Sequence, residues 1–284
     1  MNLDWTPIRA GINRGGILVK QSLTSPSEMF GSLFPSLIAM VVMIFLRDTD
    51  VAGAGPVSLG SMMLPSLLGM NIAFSGLMGM LSVLVMERTD GTLLRAKAIP
   101  GGMTAYLLGV TLSTSAWAFV STVIVMVPGL LIFDNVALAS VGSWVTLLLV
   151  VIVGLLATMP LGAVLGATIS NPRNMGLAML PMMGLIAISG IFYPIAALPG
   201  WLQWIGQVFP IYWLGLGMRS AMLPDAMSAV EVAGSWRSAE TFLVLGVWAI
   251  LGLGLAPVML RRMARRESGS SVAARRAKMM ENMP

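Results

Sequence analysis

The sequence contains no cysteine and no histidine, so it offers neither thiol nor imidazole chemistry. Disulfides, thiol catalysis, zinc sites built on these two residue types and histidine proton relays are therefore excluded. Charged residues are also scarce, at 10% of the chain against about 25% in typical soluble domains, while hydrophobic residues reach 57%. This composition excludes an ordinary soluble domain.

Long, nearly uncharged runs dominate the 284 residues. A bilayer core of about 30 Å needs about 20 apolar residues in helical form, and lipid offers no partners for open backbone groups. The predicted spans are approximately 29–46, 60–86, 104–133, 143–169, 177–193 and 241–260. The expected fold is therefore an all-α polytopic membrane protein with six transmembrane helices.

The basic residues separate between alternate loops of this six-span topology. If the N-terminus is cytoplasmic, fourteen of the seventeen lysines and arginines lie on the inner side, and only Arg47, Arg219 and Arg237 lie outside. The inner residues are Arg9, Arg14, Lys20, Arg88, Arg95, Lys97, Arg173, Arg261, Arg262, Arg265, Arg266, Arg275, Arg276 and Lys278. The pattern predicts a multi-pass protein of the cytoplasmic (inner) cell membrane with both termini in the cytoplasm. The same placement explains the net charge of +5 by membrane topology, with no need for nucleic acid as a partner.

Three regions follow from this topology. Residues 1–28 mix apolar with basic residues, a pattern typical of an amphipathic interfacial helix along the inner membrane surface. Their glycines favour a loosely ordered segment nearly as well. Residues 29–260 hold the six spans, and residues 261–284 form a basic cytoplasmic tail rich in arginine and serine.

The loop after the second predicted span, residues 87–100, carries most of the charge between the spans. Its charged start ends the hydrophobic run, and residues 92–99 are predicted to form a short amphipathic turn that ends at Pro100. A compact helix between two spans is a rigid object that another protein can push. An ordinary charged hairpin explains the same spacing.

A second unusual region, residues 194–223, is too apolar for an aqueous loop and too rich in proline for a spanning helix. It is predicted to form short re-entrant helices in the outer leaflet. Its aromatic residues at headgroup level are Trp201, Trp204, Tyr212 and Trp213. A part in substrate exit and an aromatic belt that only anchors the fold are equally compatible with this pattern.

The chain also lacks the residues of several energy-coupling mechanisms. It has no Gly-x-x-x-x-Gly-Lys-Ser/Thr loop, so it does not bind ATP by that route. No acidic or basic residue falls in the middle of a predicted span, whereas ion-coupled transporters usually place ionisable groups there. Intramembrane serines have no histidine partner, which disfavours hydrolysis.

These features resemble the type-2 ATP-binding cassette (ABC) exporter permeases, a family that includes bacterial drug-resistance, lipid and polysaccharide export subunits. The matching pieces are Glu87-Arg88-x-x-Gly91-Thr92-Leu93 with Pro100, and Gly190-x-Phe192-Tyr193-Pro194 with Leu198-Pro199-x-x-Leu202 and Pro210. The similarity extends over nearly the whole chain. Within the family, the chain most resembles the daunorubicin-resistance-like branch. The sequence departs from the common pattern at Thr89 and Leu94, where acidic residues are often found.

The resemblance implies that residues 87–100 form a coupling helix that docks into a separate ABC ATPase subunit. The implied coupling residues are Glu87, Arg88, Gly91, Thr92, Leu93 and Arg95, and the implied outer re-entrant residues are Tyr193, Pro194, Pro199, Trp201, Trp204, Pro210 and Arg219. Further implied partners are a second copy or a homologous permease, and membrane lipid. The chain itself would be no enzyme and would bind no cofactor, because ATP and magnesium belong to the ATPase.

The implied function is ATP-driven export of a hydrophobic or amphiphilic substrate, such as a drug, lipid or glycolipid. Two alternatives from other classes stay open. An ion-coupled secondary transporter is disfavoured by the missing intramembrane charges. A non-transporting membrane anchor or assembly protein has the same composition.

Overall fold

The structure is a computed structural model that describes residues 6–47, 49, 58–133, 138, 140–169 and 171–266. Within these ranges the α-helices are α1 (Thr6–Thr24), α2 (Pro26–Phe45), α3 (Leu59–Phe74), α4 (Met80–Thr89), α5 (Thr92–Lys97), α6 (Gly102–Ile132), α7 (Val141–Thr168), α8 (Met175–Ile188), α9 (Gly200–Val208), α10 (Pro210–Met222) and α11 (Ser238–Arg266). A π-helical turn, Ser75–Gly79, joins α3 to α4. Short 3-10 turns occupy Pro172–Asn174, Ile195–Ala197 and Asp225–Val230.

Four helical runs in the described part of the chain are long and apolar enough to cross a membrane. They are Leu59–Thr89, Gly102–Ile132, Val141–Thr168 and Ser238–Arg265. These match four of the six predicted spans. The other two, 29–46 and 177–193, stay predictions: the described apolar part of α2 is Ser36–Phe45, and the 14 residues of α8 extend only about 21 Å.

Helix α10 lies inside the bundle although it comes from the region predicted to be re-entrant. Every residue of α10 except Ser220 is buried, and the helix packs against α3, α7 and α11. A Cβ atom on Gly69 of α3 would lie 2.8 Å from the Leu214 carbonyl oxygen, and one on Gly154 of α7 would clash with the Leu214 side chain. The two glycines therefore form the groove that holds α10, because small residues let helices approach closely in a membrane.

The π-turn Ser75–Gly79 packs against α7 at a second close approach. A Cβ on Gly162 would clash with the Leu77 carbonyl oxygen, and a Cβ on Gly79 would lie 3.1 Å from the Thr114 side chain of α6. Gly79 and Gly162 are thus positions of close helix–helix contact.

A buried polar cluster joins α2, α3 and α6. The Asn71 side-chain amide donates to the Ser36 hydroxyl at 3.3 Å, and its carbonyl oxygen accepts from Ser121 at 2.9 Å and from Thr122 at 3.4 Å. Because an unsatisfied polar group in an apolar interior costs free energy, these mutual hydrogen bonds fix the packing of the three helices.

Helix α1 packs lengthwise along the first turns of α6. Cβ atoms on Gly11 and Gly15 would lie 2.8 Å and 3.0 Å from leucine side chains of α6. The glycines are therefore contact points in a continuous helix, Thr6–Thr24, and the alternative of a loosely ordered segment is wrong there. Ile12 and Ile17 lie outside these contacts and are exposed. Placement of α1 on the membrane surface stays a prediction.

Helix α11 continues past the predicted end of the sixth span at residue 260, as far as Arg266. The first six residues of the segment predicted to be a tail, 261–284, are thus helical. The remainder of that segment lies outside the described residues.

We expect Gly162→Ala to lower the thermal midpoint of the detergent-purified protein, because the added methyl group meets the Leu77 backbone and overpacking costs about 1–3 kcal/mol. Gly184→Ala in α8 is the matched control, since no atom lies within 4 Å of its added carbon. Equal midpoints for the two variants would contradict the close contact between α7 and the π-turn.

Candidate functional site

Helix α1, helix α5, the start of α6 and the last turns of α11 meet at one end of the bundle, which we call the basic end. Its described basic residues are Arg9, Arg14, Arg88, Arg95, Lys97, Arg261, Arg262 and Arg265. All six residues predicted to couple the chain to an ATPase, from Glu87 to Arg95, lie at this end.

Two left-handed glycines delimit helix α5. Gly91 has φ 75° and Gly101 has φ 69°, a region that glycine enters without steric cost. Gly91 lets the chain turn sharply from α4 into α5, and Gly101 turns it again into α6. The predicted short helix between Glu87 and Pro100 is therefore present, as Thr92–Lys97.

Glu87, at the end of α4, is ion-paired with α1. An Arg14 Nη2 atom lies 2.7 Å from Glu87 Oε1, and the Arg14 guanidinium lies 4.9 Å from the centre of the Tyr106 ring on α6. The Arg14 and Glu87 side chains are 28% and 16% exposed, so solvent screens their attraction only partly. The pair joins α1, α4 and α6 in one polar contact.

This cluster retains unused hydrogen-bonding capacity. Arg14 Nε is buried and has no hydrogen-bond partner in the described part of the chain, and the Tyr106 hydroxyl interacts with the Glu87 carboxylate. Buried polar groups are costly unless paired, so the Arg14–Glu87 pair stabilises this contact.

Two more of the predicted coupling residues face the interior. Arg88 is 9% exposed, and its Nη1 atom lies 3.5 Å from the Ala167 carbonyl oxygen at the end of α7. Leu93 is 1% exposed and belongs to the hydrophobic core. Together with Glu87, these residues make contacts within the chain.

The outward surface of the loop comes from its second half. Arg95, Lys97 and Pro100 are exposed, and Ile99 exposes 62% of its surface. Lys97 Nζ donates to the Ala264 carbonyl oxygen at 2.8 Å, which connects α5 to the last turns of α11. Sequence reasoning missed this contact because the two residues lie 167 positions apart.

A cavity of about 500 Å³ opens between α1, α5 and α6. Its lining includes Arg14, Thr92, Arg95, Ile99 and Tyr106. Gly91 and Thr92 are half-buried beside it, with Thr92 forming part of the wall. The cavity combines cationic groups with an apolar rim, a lining that suits an acidic or amphipathic protrusion from a partner protein.

The outer residues named by the resemblance do not converge on one site. Trp201 and Trp204 expose 65% and 76% of their surfaces on α9. Pro194, Pro199 and Pro210 precede or begin the short helical elements, and the Tyr193 hydroxyl donates to the Ala187 carbonyl oxygen. The prolines thus mark the starts of the short helical elements, and the two tryptophans of α9 lie exposed on the protein surface.

Arg219 occupies a very different environment, because it is 1% exposed in the core. Its Nε atom lies 2.6 Å from Glu231 Oε1, and its Nη1 atom donates to the Ser66 hydroxyl of α3 at 2.7 Å. Glu231 is itself 6% exposed. Sequence reasoning missed Glu231; the available signal was the single arginine in an apolar run, which needs an acidic partner.

Arg237, in the loop before α11, is held by three neighbours. Its guanidinium lies 4.7 Å from the Trp213 ring centre, it donates to Gln207 Oε1 at 2.6 Å, and it approaches Glu240 at 3.5 Å. These contacts fix the loop before α11 onto α9 and α10.

We expect Glu231→Gln to reduce the thermal stability of the protein strongly, because it leaves the Arg219 charge buried and uncompensated, at a cost of about 3–5 kcal/mol. Glu240→Gln removes a carboxylate that is 51% exposed and should cost at most about 1 kcal/mol. Similar unfolding midpoints for both variants in detergent would show that the buried Arg219–Glu231 pair does not stabilise the fold.

Comparison with known proteins agrees with this architecture. Residues 22–257, from α1 to near the end of α11, match the family described as ABC-2 family transporter protein. A search of curated proteins finds no significant match. The family confirms the resemblance noted in the sequence, while the daunorubicin-resistance-like branch stays a prediction. On the extent of this match, the chain belongs to the ABC-2 family of membrane transporter proteins.

Proposed function

We propose that this chain is the permease subunit of an ATP-driven exporter and that a separate ABC ATPase drives it through the basic end. Permeases of the ABC-2 family normally work with such a subunit. The observation that carries the proposal is helix α5, which is fixed between two long apolar helices and exposes its far side. A rigid projection of this kind would transmit a movement of the ATPase to the membrane-spanning helices.

The end of α4 and helix α5 give the push three routes. Arg88 reaches the end of α7, Lys97 reaches the end of α11, and the Glu87–Arg14 pair reaches α1. Force on α5 would thus move several helices together. We assign the docking surface itself to Arg95, Ile99 and Pro100, with Glu87 and Arg88 as positioning residues behind it.

The substrate we propose is hydrophobic or amphiphilic. An apolar cavity of about 240 Å³ lies between the π-turn, α7, α8, α10 and α11. Its lining includes Met182, Phe209, Ile211 and Trp248, with Thr158 as a polar group. Such a lining favours the apolar part of a drug, lipid or glycolipid over a bare sugar chain.

The remaining parts of the proposal concern topology and assembly. We place the basic end in the cytoplasm, with α2 and α8 as the first and fifth spans and both termini inside. Helices α9 and α10 then lie toward the outer leaflet. A second permease, identical or homologous, completes the assembly, and ATP with magnesium is bound by the ATPase.

Two other functions make different predictions. An ion-coupled transporter would lose activity with an uncoupler while ATP is held constant. An anchor or assembly protein would show no substrate-dependent phenotype. The proposed exporter should keep its activity with the uncoupler and co-purify with an ABC ATPase encoded nearby.

We expect the charge reversal Glu87→Lys to impair transport, because it replaces attraction to Arg14 by repulsion. The double variant Arg14→Glu with Glu87→Lys restores an attractive pair. If Glu87 positions α4 against α1, the double variant should recover transport and substrate-stimulated ATP hydrolysis. Membrane insertion of all variants, followed by yield in membranes, should match the unmodified chain.

A different outcome would reassign Glu87. If the double variant transports as poorly as Glu87→Lys although both proteins insert normally, Glu87 acts on the ATPase directly and the positioning role is wrong. If neither variant changes transport, the ion pair has no part in coupling.

We expect Ile99→Asp to weaken association with the ATPase, because it places a charge on the exposed apolar surface of the α5 loop. Ile99→Leu keeps an apolar side chain of equal volume and is the control. The measurement is the amount of ATPase that co-purifies with the affinity-tagged permease. Full co-purification with Ile99→Asp would remove this residue from the docking surface.

A further inference from the structure

We propose that the last turns of α11 bind one anionic phospholipid from the leaflet at the basic end. Its phosphate would lie on Arg261, Arg262 and Arg265, and an acyl chain would follow the outer face of α11. The bound lipid would keep α5 attached to α11 during coupling. This last clause rests on the function proposed above, whereas the binding itself does not.

The headgroup site is a cleft of about 390 Å³ lined by Val258, Arg261, Arg262 and Arg265. Arg265 lies four residues after Arg261 and three after Arg262, so the three side chains project from one side of the helix. All three are exposed, and none forms an ion pair within the described residues. Guanidinium groups bind phosphate through paired hydrogen bonds, which makes this cleft a site for a phosphate-bearing headgroup.

An apolar strip leads directly into the cleft. Leu251, Leu255 and Val258 expose 49%, 52% and 58% of their surfaces. The spacing of four and three residues continues to Arg262 and Arg265, so the strip and the arginines share one helix face. A lipid whose acyl chain runs along this strip places its phosphate at the guanidinium groups.

The opposite face of the same turns is packed against the protein. Ala256, Leu260 and Met263 are 6%, 6% and 3% exposed. The strip and the arginines therefore point away from the bundle, into the space that lipid fills. No helix of the described chain competes for this face near the cleft, whose lining comes from α11 alone.

Basic residues at the inner end of a span also occur simply as topology signals, but the position of Lys97 sets this group apart. Lys97 Nζ donates to the Ala264 carbonyl oxygen, one residue before Arg265. Three arginines and one lysine thus crowd the same turns, and like charges repel. An anionic phosphate relieves that repulsion and keeps Lys97 on α11.

The binding test uses the full chain with its ATPase in nanodiscs of phosphatidylcholine, with or without phosphatidylglycerol. Native mass spectrometry then counts the phosphatidylglycerol retained. The variant R261Q/R262Q/R265Q should retain at least about tenfold less, since each basic residue near an anionic surface contributes about a fivefold factor. The control R9Q/K20Q/R173Q removes three exposed basic residues outside α11 and should retain the lipid. Equal loss in both variants, or no loss in the first, would overturn the site.

A second readout separates the site from its effect on coupling. Phosphatidylglycerol should stimulate ATP hydrolysis several-fold with the unmodified chain, but not with the triple variant or with Lys97→Gln. Lys97→Gln should still retain the lipid. If the triple variant loses the lipid and keeps full stimulation, the binding site stands and its role in coupling is overturned. If no ATPase co-assembles, the proposed function fails while the lipid count still decides the site.

Discussion

Two arginines of this bundle are held by carboxylates, because an ion in an apolar interior is stable only when it is paired and hydrogen-bonded. Arg219 and Glu231 satisfy this requirement in the core, with Ser66 as a further acceptor. Arg14 and Glu87 satisfy it near the basic end. Arg219 thus holds α10 to the loop that contains Glu231 and to α3, and Arg14 holds α1 to the end of α4.

Different kinds of contact hold the two ends of the bundle. At one end, α10 is buried among α3, α7 and α11 and is held by glycine contacts as well as by the Arg219 pair. At the basic end, Lys97 of α5 contacts α11, Arg88 of α4 contacts α7, and Arg14 of α1 pairs with Glu87 of α4. In the function proposed above, this is the end that an ATPase would push.

The sequence predicted those parts of the structure that depend on local pattern. Four long apolar runs became long helices, and the turn predicted over residues 92–99 contains the short helix Thr92–Lys97. Hydropathy did not predict the burial of residues 210–222 among other helices, because it does not distinguish a lipid environment from a protein interior. Partners such as Glu87 with Arg14, 73 positions apart, depend on how α1 packs on α6, which no local pattern encodes.

The central claim is that the driving force enters through α5. The absence of native cysteine allows single cysteines to be introduced without background. A cross-linker attached to cysteine at position 99 should capture the co-expressed ABC ATPase, while one at position 201 on α9 should not. Capture from position 201, or none from position 99 in an intact complex, would contradict the account.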